Sequence, residues 1–312
     1  MKRSVIRSRW LAVVVAYFLI YVVWGSTYYF IGVALRDIPT FMLGALRFSI
    51  AGLLLLILCA CNGEKVLRPQ LVRRSAVSGI VLLFVDMAVI MLAQRYVSSS
   101  LVAIVASSTA VWIMLLDVPS WKRNFRSVTT VCGVVVGFVG VGMLYYEQMT
   151  AENDPSVHHE YGILILIAGC ISWALGTLYA KYRSSQSEEV NAFSGAAWQM
   201  LFASAMFWIC AALFGDFSEF DLSSVCTASW LSLLYLVLFG SMMAYTAYVW
   251  LLKVRPATEV ATHAYVNPVV AVIIGVYVGH ENVTPLQLIG LAAIVAGVVL
   301  VEWRIGKTKR NV

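Results

Sequence analysis

Ten apolar runs, each about twenty residues long, leave this chain few ways to fold. They fall at roughly 10–31, 41–61, 75–94, 98–117, 127–145, 161–180, 192–214, 228–250, 257–279 and 285–303. A helix rises 1.5 Å per residue, so about 20 residues cover a hydrocarbon core of about 30 Å. Inside that core no water satisfies backbone groups, and only helices or closed barrels cross it. A barrel needs segments that alternate apolar and polar residues, and none occurs here. The chain is 61% hydrophobic and 12% charged, against about a quarter charged in soluble domains. The expected fold is therefore an all-α integral membrane protein with ten transmembrane helices. The longest connections are 62–74, 118–126, 146–160 and 215–227, too short for a soluble catalytic or binding domain. The first run is too long for a signal-peptide core and has a counterpart in the second half, so it is expected to stay in the chain.

Basic residues set the expected orientation. With the N-terminus cytoplasmic, all of the 22 Lys and Arg fall on the inner side except Arg36 and Arg95, which lie outside, and Arg47, which lies within a span. This follows the positive-inside rule and places both termini in the cytoplasm. The +6 net charge is then a topology signal with affinity for anionic lipid headgroups, and no nucleic-acid partner is expected. The six cysteines include one, Cys226, in an expected external loop. No CxxC or Cys/His ligand spacing occurs, so neither a disulfide framework, a metal site nor a cofactor is expected.

The chain also repeats itself. Trp24-Gly25-Ser26-Thr27-Tyr28 echoes Trp173-Ala174-Leu175-Gly176-Thr177, and Ser99-Ser100-Leu101-Val102-Ala103 sits over Ala257-Thr258-Glu259-Val260-Ala261. Gly133 and Gly140 match Gly290 and Gly297 with the same interval. The offset stays at roughly 150–160 residues throughout, as a duplicated unit requires. The expected units are 1–150 and 151–312, each with five spans. Five is odd, so the second unit inserts upside down. Two inverted five-helix repeats (5+5) are an architecture of secondary transporters, with substrate near the midplane between the repeats.

In these features the chain resembles the EamA group of the drug/metabolite transporter superfamily. The resemblance rests on ten spans, the Trp24–Tyr28 stretch, Arg47-Phe48, Asn267-Pro268 and the glycine-spaced spans 5 and 10, and it covers about 10–303. It implies a permease of the bacterial inner (plasma) membrane, usually an exporter of amino acids, metabolites or small toxic compounds. It further implies that spans 1, 3, 4, 6, 8 and 9 line a central cavity, with spans 5 and 10 packed behind. Ala110 stands opposite Pro268, where members of the family often carry a proline, so a break in span 4 is left open.

Few residues in the spans carry chemistry. Arg47 and Asp86 have matched depth on neighbouring spans, and ionisable groups at such depth usually pair or face a cavity. An ion pair is expected, or else a proton site at Asp86; snorkelling of Arg47 to the interface is the alternative. The expected substrate pathway comprises Trp24, Ser26, Thr27 and Tyr28 from span 1, and Trp173 and Thr177 from span 6. His263, Tyr265 and Asn267 from span 9 and Tyr245 from span 8 complete it. Helix packing through Gly25 and Gly176 is the competing reading for the first two groups. Tyr248 and Trp250 stand between lining and interfacial anchoring. His263 suits either proton exchange near neutral pH or a plain hydrogen bond.

The expectation is an alternating-access exporter of a small amino-acid-like metabolite or toxic compound, with the lipid bilayer and a coupling proton as its other partners. Neutral or zwitterionic solutes fit better than phosphorylated sugars, because Arg47 is the sole cation deep in a span. A regulatory or sensor membrane protein and a membrane-embedded enzyme are the alternatives. Against the enzyme, neither H-E-x-x-H nor G-x-S-x-G occurs, so no catalytic residue is expected. Substrate identity, direction, coupling ion and oligomeric state are left open by the residues.

Overall fold

The computed structural model describes residues 2–121, 128–150, 159–183, 192–255, 260 and 262–310. Among these residues every regular element is helical. Eight helices are long and apolar enough to cross a membrane: α1 (Trp10–Ala34), α2 (Thr40–Cys61), α3 (Pro69–Ala93), α4 (Ser99–Leu116), α5 (Val128–Glu147), α6 (Tyr161–Leu178), α7 (Phe193–Phe214) and α8 (Thr227–Leu251). Two more, α9 (His263–Tyr277) and α10 (Pro285–Arg310), carry the shorter apolar stretches Val266–Tyr277 and Pro285–Gly297. Most of residues 256–261 lies outside the described residues, so the start expected for the ninth span is not described.

Local chemistry sets the helix ends. Pro69 and Pro285 open α3 and α10, where a missing N–H costs nothing. The Ser98 hydroxyl accepts from the Leu101 N–H and caps α4. Gly215, with φ +85°, turns the chain out of α7 in a left-handed conformation that favours glycine.

The packing is symmetric under exchange of each helix with the one five places on. Helix α2 packs on α7, α4 on α9 and α5 on α10. Helix α1 packs on α8 and α9, and α6 correspondingly packs on α3 and α4. The symmetry reaches single residues. A Cβ added at Gly79 of α3 would meet the backbone of Gln199 on α7 at 2.5 Å, while one added at Gly240 of α8 would stand 3.1 Å from the Arg47 guanidinium on α2. Helix α6 runs antiparallel to α3, with Gly162 against Val97, Gly169 against Val89 and Gly176 against Leu82. The end of α1 lies beside the end of α3, where the Gln94 amide donates to the Tyr28 carbonyl at 3.0 Å. Helices α1 and α6 therefore run in opposite directions.

Helices α5 and α10 meet almost backbone to backbone. A Cβ at Gly297 would lie 2.6 Å from the Gly133 carbonyl oxygen, and one at Gly140 would lie 2.9 Å from that of Gly290. These glycines are close-packing positions, as small residues are between membrane helices. Large apolar side chains such as Leu53, Ile57, Val131, Ile209 and Leu213 stay exposed on the bundle's outside, as suits lipid contact.

Among the described residues three helices are loosened by π turns, at Leu19–Val23 in α1, Gly79–Phe84 in α3 and Leu236–Tyr245 in α8. Their i→i+5 bonding widens the helix and frees carbonyls. The π turn of α1 ends at Val23, and residues 24–34 are regular helix. Span 4 is interrupted at Ser107–Ser108 without a proline. There the Ser107 N–H is shared between the Ala103 and Ile104 carbonyls. The Ser107 and Thr109 hydroxyls also donate back, to Ile104 at 2.6 Å and Ala106 at 2.7 Å. Hydroxyls that compete for helix carbonyls do the work a proline does elsewhere.

At the face where α1 and α3 end, carboxylates reach across between the two halves. Asp216 accepts from the Phe41 and Met42 N–H groups at 2.7 and 2.9 Å, capping α2. Glu281 accepts from the N–H and hydroxyl groups of both Ser99 and Ser100, capping α4. Asp37 accepts from the Cys226 N–H at 3.0 Å and the Ser229 hydroxyl at 2.7 Å, capping α8. Glu147 accepts from the Thr284 hydroxyl, which itself accepts from the Gln287 N–H at the start of α10. Each carboxylate meets the positive end of a helix dipole, and each belongs to the half that does not own the helix.

Candidate functional site

The π turns lead directly into an aromatic cluster. Trp24 follows the loosened turn of α1, and its indole N–H donates to the Gly240 carbonyl at 3.1 Å, within the loosened turn of α8. Its ring centroid lies 5.1 Å from Tyr248, 6.4 Å from Tyr245 and 5.4 Å from His263, the last edge-on. Tyr248 lies 5.7 Å from His263 and 6.2 Å from Trp173. The two tryptophans related by the sequence repeat thus flank one tyrosine, and α1, α6, α8 and α9 each contribute a ring. Tyr248, undecided in the sequence between lining and anchor, is the hub. Periodicity holds no mark of this, because an aromatic near a span end reads the same in either role.

Asp86 sits two residues past the π turn of α3. Its side chain is half-buried.

The expected ion pair between Arg47 and Asp86 is not formed. The buried Arg47 guanidinium donates through Nε to the Ser241 hydroxyl of α8 at 2.8 Å and through Nη1 toward the Met87 sulfur at 3.8 Å. It also lies 4.9 Å from the centroid of the Phe48 ring. The loosened turn of α8 brings Ser241 within its reach, and matched depth alone did not fix the side-chain direction. Among the described residues Asp86 has no hydrogen-bond or ion-pair partner. Gln199, which occupies the place of Arg47 in the second half, accepts from the Tyr245 hydroxyl and donates to Ser78 at 3.0 Å.

Other expected residues serve the scaffold. The Ser26 hydroxyl donates to the Val23 carbonyl at 2.7 Å and meets the Tyr235 hydroxyl, away from the cluster. Thr27 donates to the Trp24 carbonyl at 2.6 Å, and its methyl packs on Gly240. Asn267 is buried; with its amide nitrogen turned to the surrounding carbonyls it donates to Ile20 at 2.8 Å, Tyr21 at 3.0 Å and His263 at 3.2 Å. It pins α9 to the π turn of α1, where carbonyls stand free. The Thr177 hydroxyl is buried and finds no partner among the described residues. The side chain of Tyr265 lies outside the described residues. His263 Nδ1 lies 2.8 Å from the Val260 carbonyl; a carbonyl only accepts, so Nδ1 carries the hydrogen and Nε2 is left for the cluster. Trp250 is half-buried beside the cluster's edge.

A cavity of about 170 Å³ opens near the carboxylate caps, toward the end of α1. Tyr29, Arg36, Gln94, Ser99, Gly279 and Glu281 line it. It lies beyond the aromatic cluster, whose rings fill their own space.

The EamA-like transporter family matches the chain twice, over residues 11–146 and again over 160–303. The uncharacterized inner membrane transporter YedA of Escherichia coli K12 is 33% identical over 295 residues, which cover 92% of this chain and 89% of the relative. The probable amino-acid metabolite efflux pump of the same organism is 24% identical, over 92% and 94% of the two chains. A chain solved by crystallography superposes with a TM-score of 0.65 at 19% identity, covering 95% of this chain and 98% of that one; it shares the fold. Two family matches, packing that repeats every five helices and a ring cluster drawn from both halves agree. The chain belongs to the EamA-like transporter family and is a membrane transporter rather than an enzyme.

Proposed function

We propose that this protein is an alternating-access exporter of the bacterial inner membrane, with ten spans arranged as two inverted five-helix repeats and both termini cytoplasmic. Residues 1–150 and 151–312 form the repeats. Its solute is a small amino-acid-like metabolite or toxic compound, bound between the halves, with a proton as the coupling ion. The observation that carries this reading is the ring cluster of Trp24, Trp173, Tyr245, Tyr248 and His263, drawn from both halves. Opposed directions of α1 and α6 support the inversion. The metabolite efflux relative supports the solute class, and the YedA relative supports the inner membrane. Pockets for small molecules are lined in just this manner, by rings with a few placed polar groups.

Proteoliposomes loaded with labelled amino acids and metabolite amines provide the test. Wild-type protein should speed release of at least one solute over protein-free vesicles. Trp24→Ala should abolish that gain with folded protein per vesicle unchanged. Release at wild-type rate by both Trp24→Ala and Trp173→Ala would place the pathway elsewhere.

A further inference from the structure

The cavity at the face of the carboxylate caps is lined by side chains of both charges, Arg36 and Glu281. Its volume of about 170 Å³ is below the roughly 300–1,000 Å³ of pockets for drug-sized ligands, so only a small solute fits. Both halves build its walls. The end of α1, the turn after α3 and the start of α4 come from the first, and Gly279 and Glu281, in the turn after α9, from the second. Arg36 is exposed and pairs with no carboxylate among the described residues, Glu281 included. Its neighbour Asp37 is taken up by Cys226 and Ser229. A guanidinium left in this way presents a fork of N–H donors that matches a carboxylate.

The remaining polar groups accept. Glu281 takes four hydrogen bonds from the N–H and hydroxyl groups of Ser99 and Ser100, which hold its charge in the wall. The Ser99 hydroxyl hydrogen is committed to that carboxylate, so its oxygen offers only lone pairs. Gln94 gives its amide nitrogen to the Tyr28 carbonyl, and its buried Oε1 has no partner among the described residues. An acceptor buried without a donor is costly. Gly32 leaves room beside that oxygen, since a Cβ there would stand 3.4 Å from it. A solute nitrogen seated at that point need move in by only a few tenths of an ångström to donate to Oε1.

We propose that this cavity is a second solute site, which takes a small zwitterion of the α-amino-acid type. Its carboxylate sits on Arg36 and its ammonium at the wall of Gln94, Ser99 and Glu281. A cation without the carboxylate leaves Arg36 unmatched, and an anion without the amine leaves Glu281 and Gln94 unmatched. The place of this site on a transport path rests on the exporter reading above; the binding itself does not.

Val97 lines the same cavity, so the rate at which Val97→Cys reacts with a thiol reagent reports occupancy. The full-length protein on a Cys-free background is used in nanodiscs, where both faces are open to reagent. Four probes of one size separate the cases: alanine as the zwitterion, alaninamide as the cation, propionate as the anion and propionamide as the neutral form. Alanine should halve the labelling rate at a concentration at least about threefold below that of alaninamide or propionate, a margin suited to a partly exposed charge-assisted contact. Propionamide should not protect, and exposed Glu219→Cys should label alike with every probe. Each variant is compared with its own rate in the absence of probe. Arg36→Gln should remove the advantage of alanine over alaninamide, and Arg36→Lys should keep part of it. Gly32→Ala fills the space beside Gln94 and should weaken protection by alanine at an unfolding temperature no lower than the parent's, since alanine is the better helix former. Equal protection by alanine and propionamide, or an unchanged advantage of alanine in Arg36→Gln, overturns the proposal. Selective protection with no release of any tested solute from proteoliposomes would leave the site standing and refute the exporter reading. Release of solute with no selective protection would refute the site and leave the exporter reading standing.

Discussion

At the scale of single residues, side-chain direction separates site from scaffold. Trp24 and Asn267 look equally functional as letters, since both are polar-capable residues deep in apolar runs. In the fold Trp24 presents its ring to Tyr248 and His263, while Asn267 spends its amide on three carbonyls. The two should therefore fail differently. Asn267→Leu strands the Ile20 and Tyr21 carbonyls, and an unmet buried polar group costs about 1–3 kcal/mol. Its thermal unfolding temperature in detergent should drop, with transport lost only in step with folded protein. Trp24→Ala should show the reverse order, with transport lost first. Normal stability in Asn267→Leu would return that residue to the pathway. The repeat made the tryptophans legible, because Trp24 and Trp173 stand at equivalent places. It was silent on Asn267, because its role depends on a π turn in another helix.

At the scale of elements, apolar length carried most of the fold. Eight of the ten apolar runs give helices long enough to cross a membrane, the last two carry shorter apolar helices, and the glycines of α5 and α10 touch. The π turns were not legible, because one extra residue per turn leaves no trace in composition. The break at Ser107–Ser108 was half legible: adjacent hydroxyls mark it once proline is no longer taken as the only cause. Packing of α5 on α10 leads to a prediction independent of the cluster. Gly297→Val puts branched carbon where the Gly133 carbonyl and Gly137 backbone stand within 2.6–2.9 Å of a mere Cβ. Overpacking of this kind costs about 1–3 kcal/mol. Unfolding temperature should fall, while release per folded molecule in proteoliposomes stays within about twofold, since neither helix contributes a ring to the cluster. A selective loss of transport at unchanged stability would mean that this pair moves during the cycle.

At the scale of the whole molecule, the four carboxylates describe which way the bundle is shut. Asp37, Glu147, Asp216 and Glu281 each join one half to a helix start of the other, all at the face expected to be external. Sequence could not show this, since acidic residues at span ends read as solvated loop charges. Rocking the halves apart at that face would break these caps together, so on the exporter reading proposed above the structure is the state closed at that face. Cysteine accessibility tests both orientation and closure. Glu219→Cys on a Cys-free background should react with an impermeant thiol reagent on intact cells, and Gln70→Cys should react only once the inner face is opened. A cysteine at Val97, beside the cavity, should label slowly, and faster when Glu281→Gln removes the charge that caps α4. Asp37 adds the sign of the pH effect. Its carboxyl is held below the usual carboxylate range, first by the Cys226 hydrogen bonds and then by Ser229, with Arg36 adding a smaller pull. A depressed folded value means that the cap contributes fully above the ordinary carboxylate range and is lost as pH falls through the folded value. Val97→Cys labelling, taken relative to that of exposed Glu219→Cys to remove the thiolate's own pH dependence, should thus stay flat from about pH 8 to 5 and rise only below about pH 4, the ordinary Asp range. Asp37→Asn should label faster at neutral pH and lose part of that acid rise. A labelling rate that climbs steeply between pH 7 and 6 would instead assign the gate to a group that titrates there, with His263 the first to substitute.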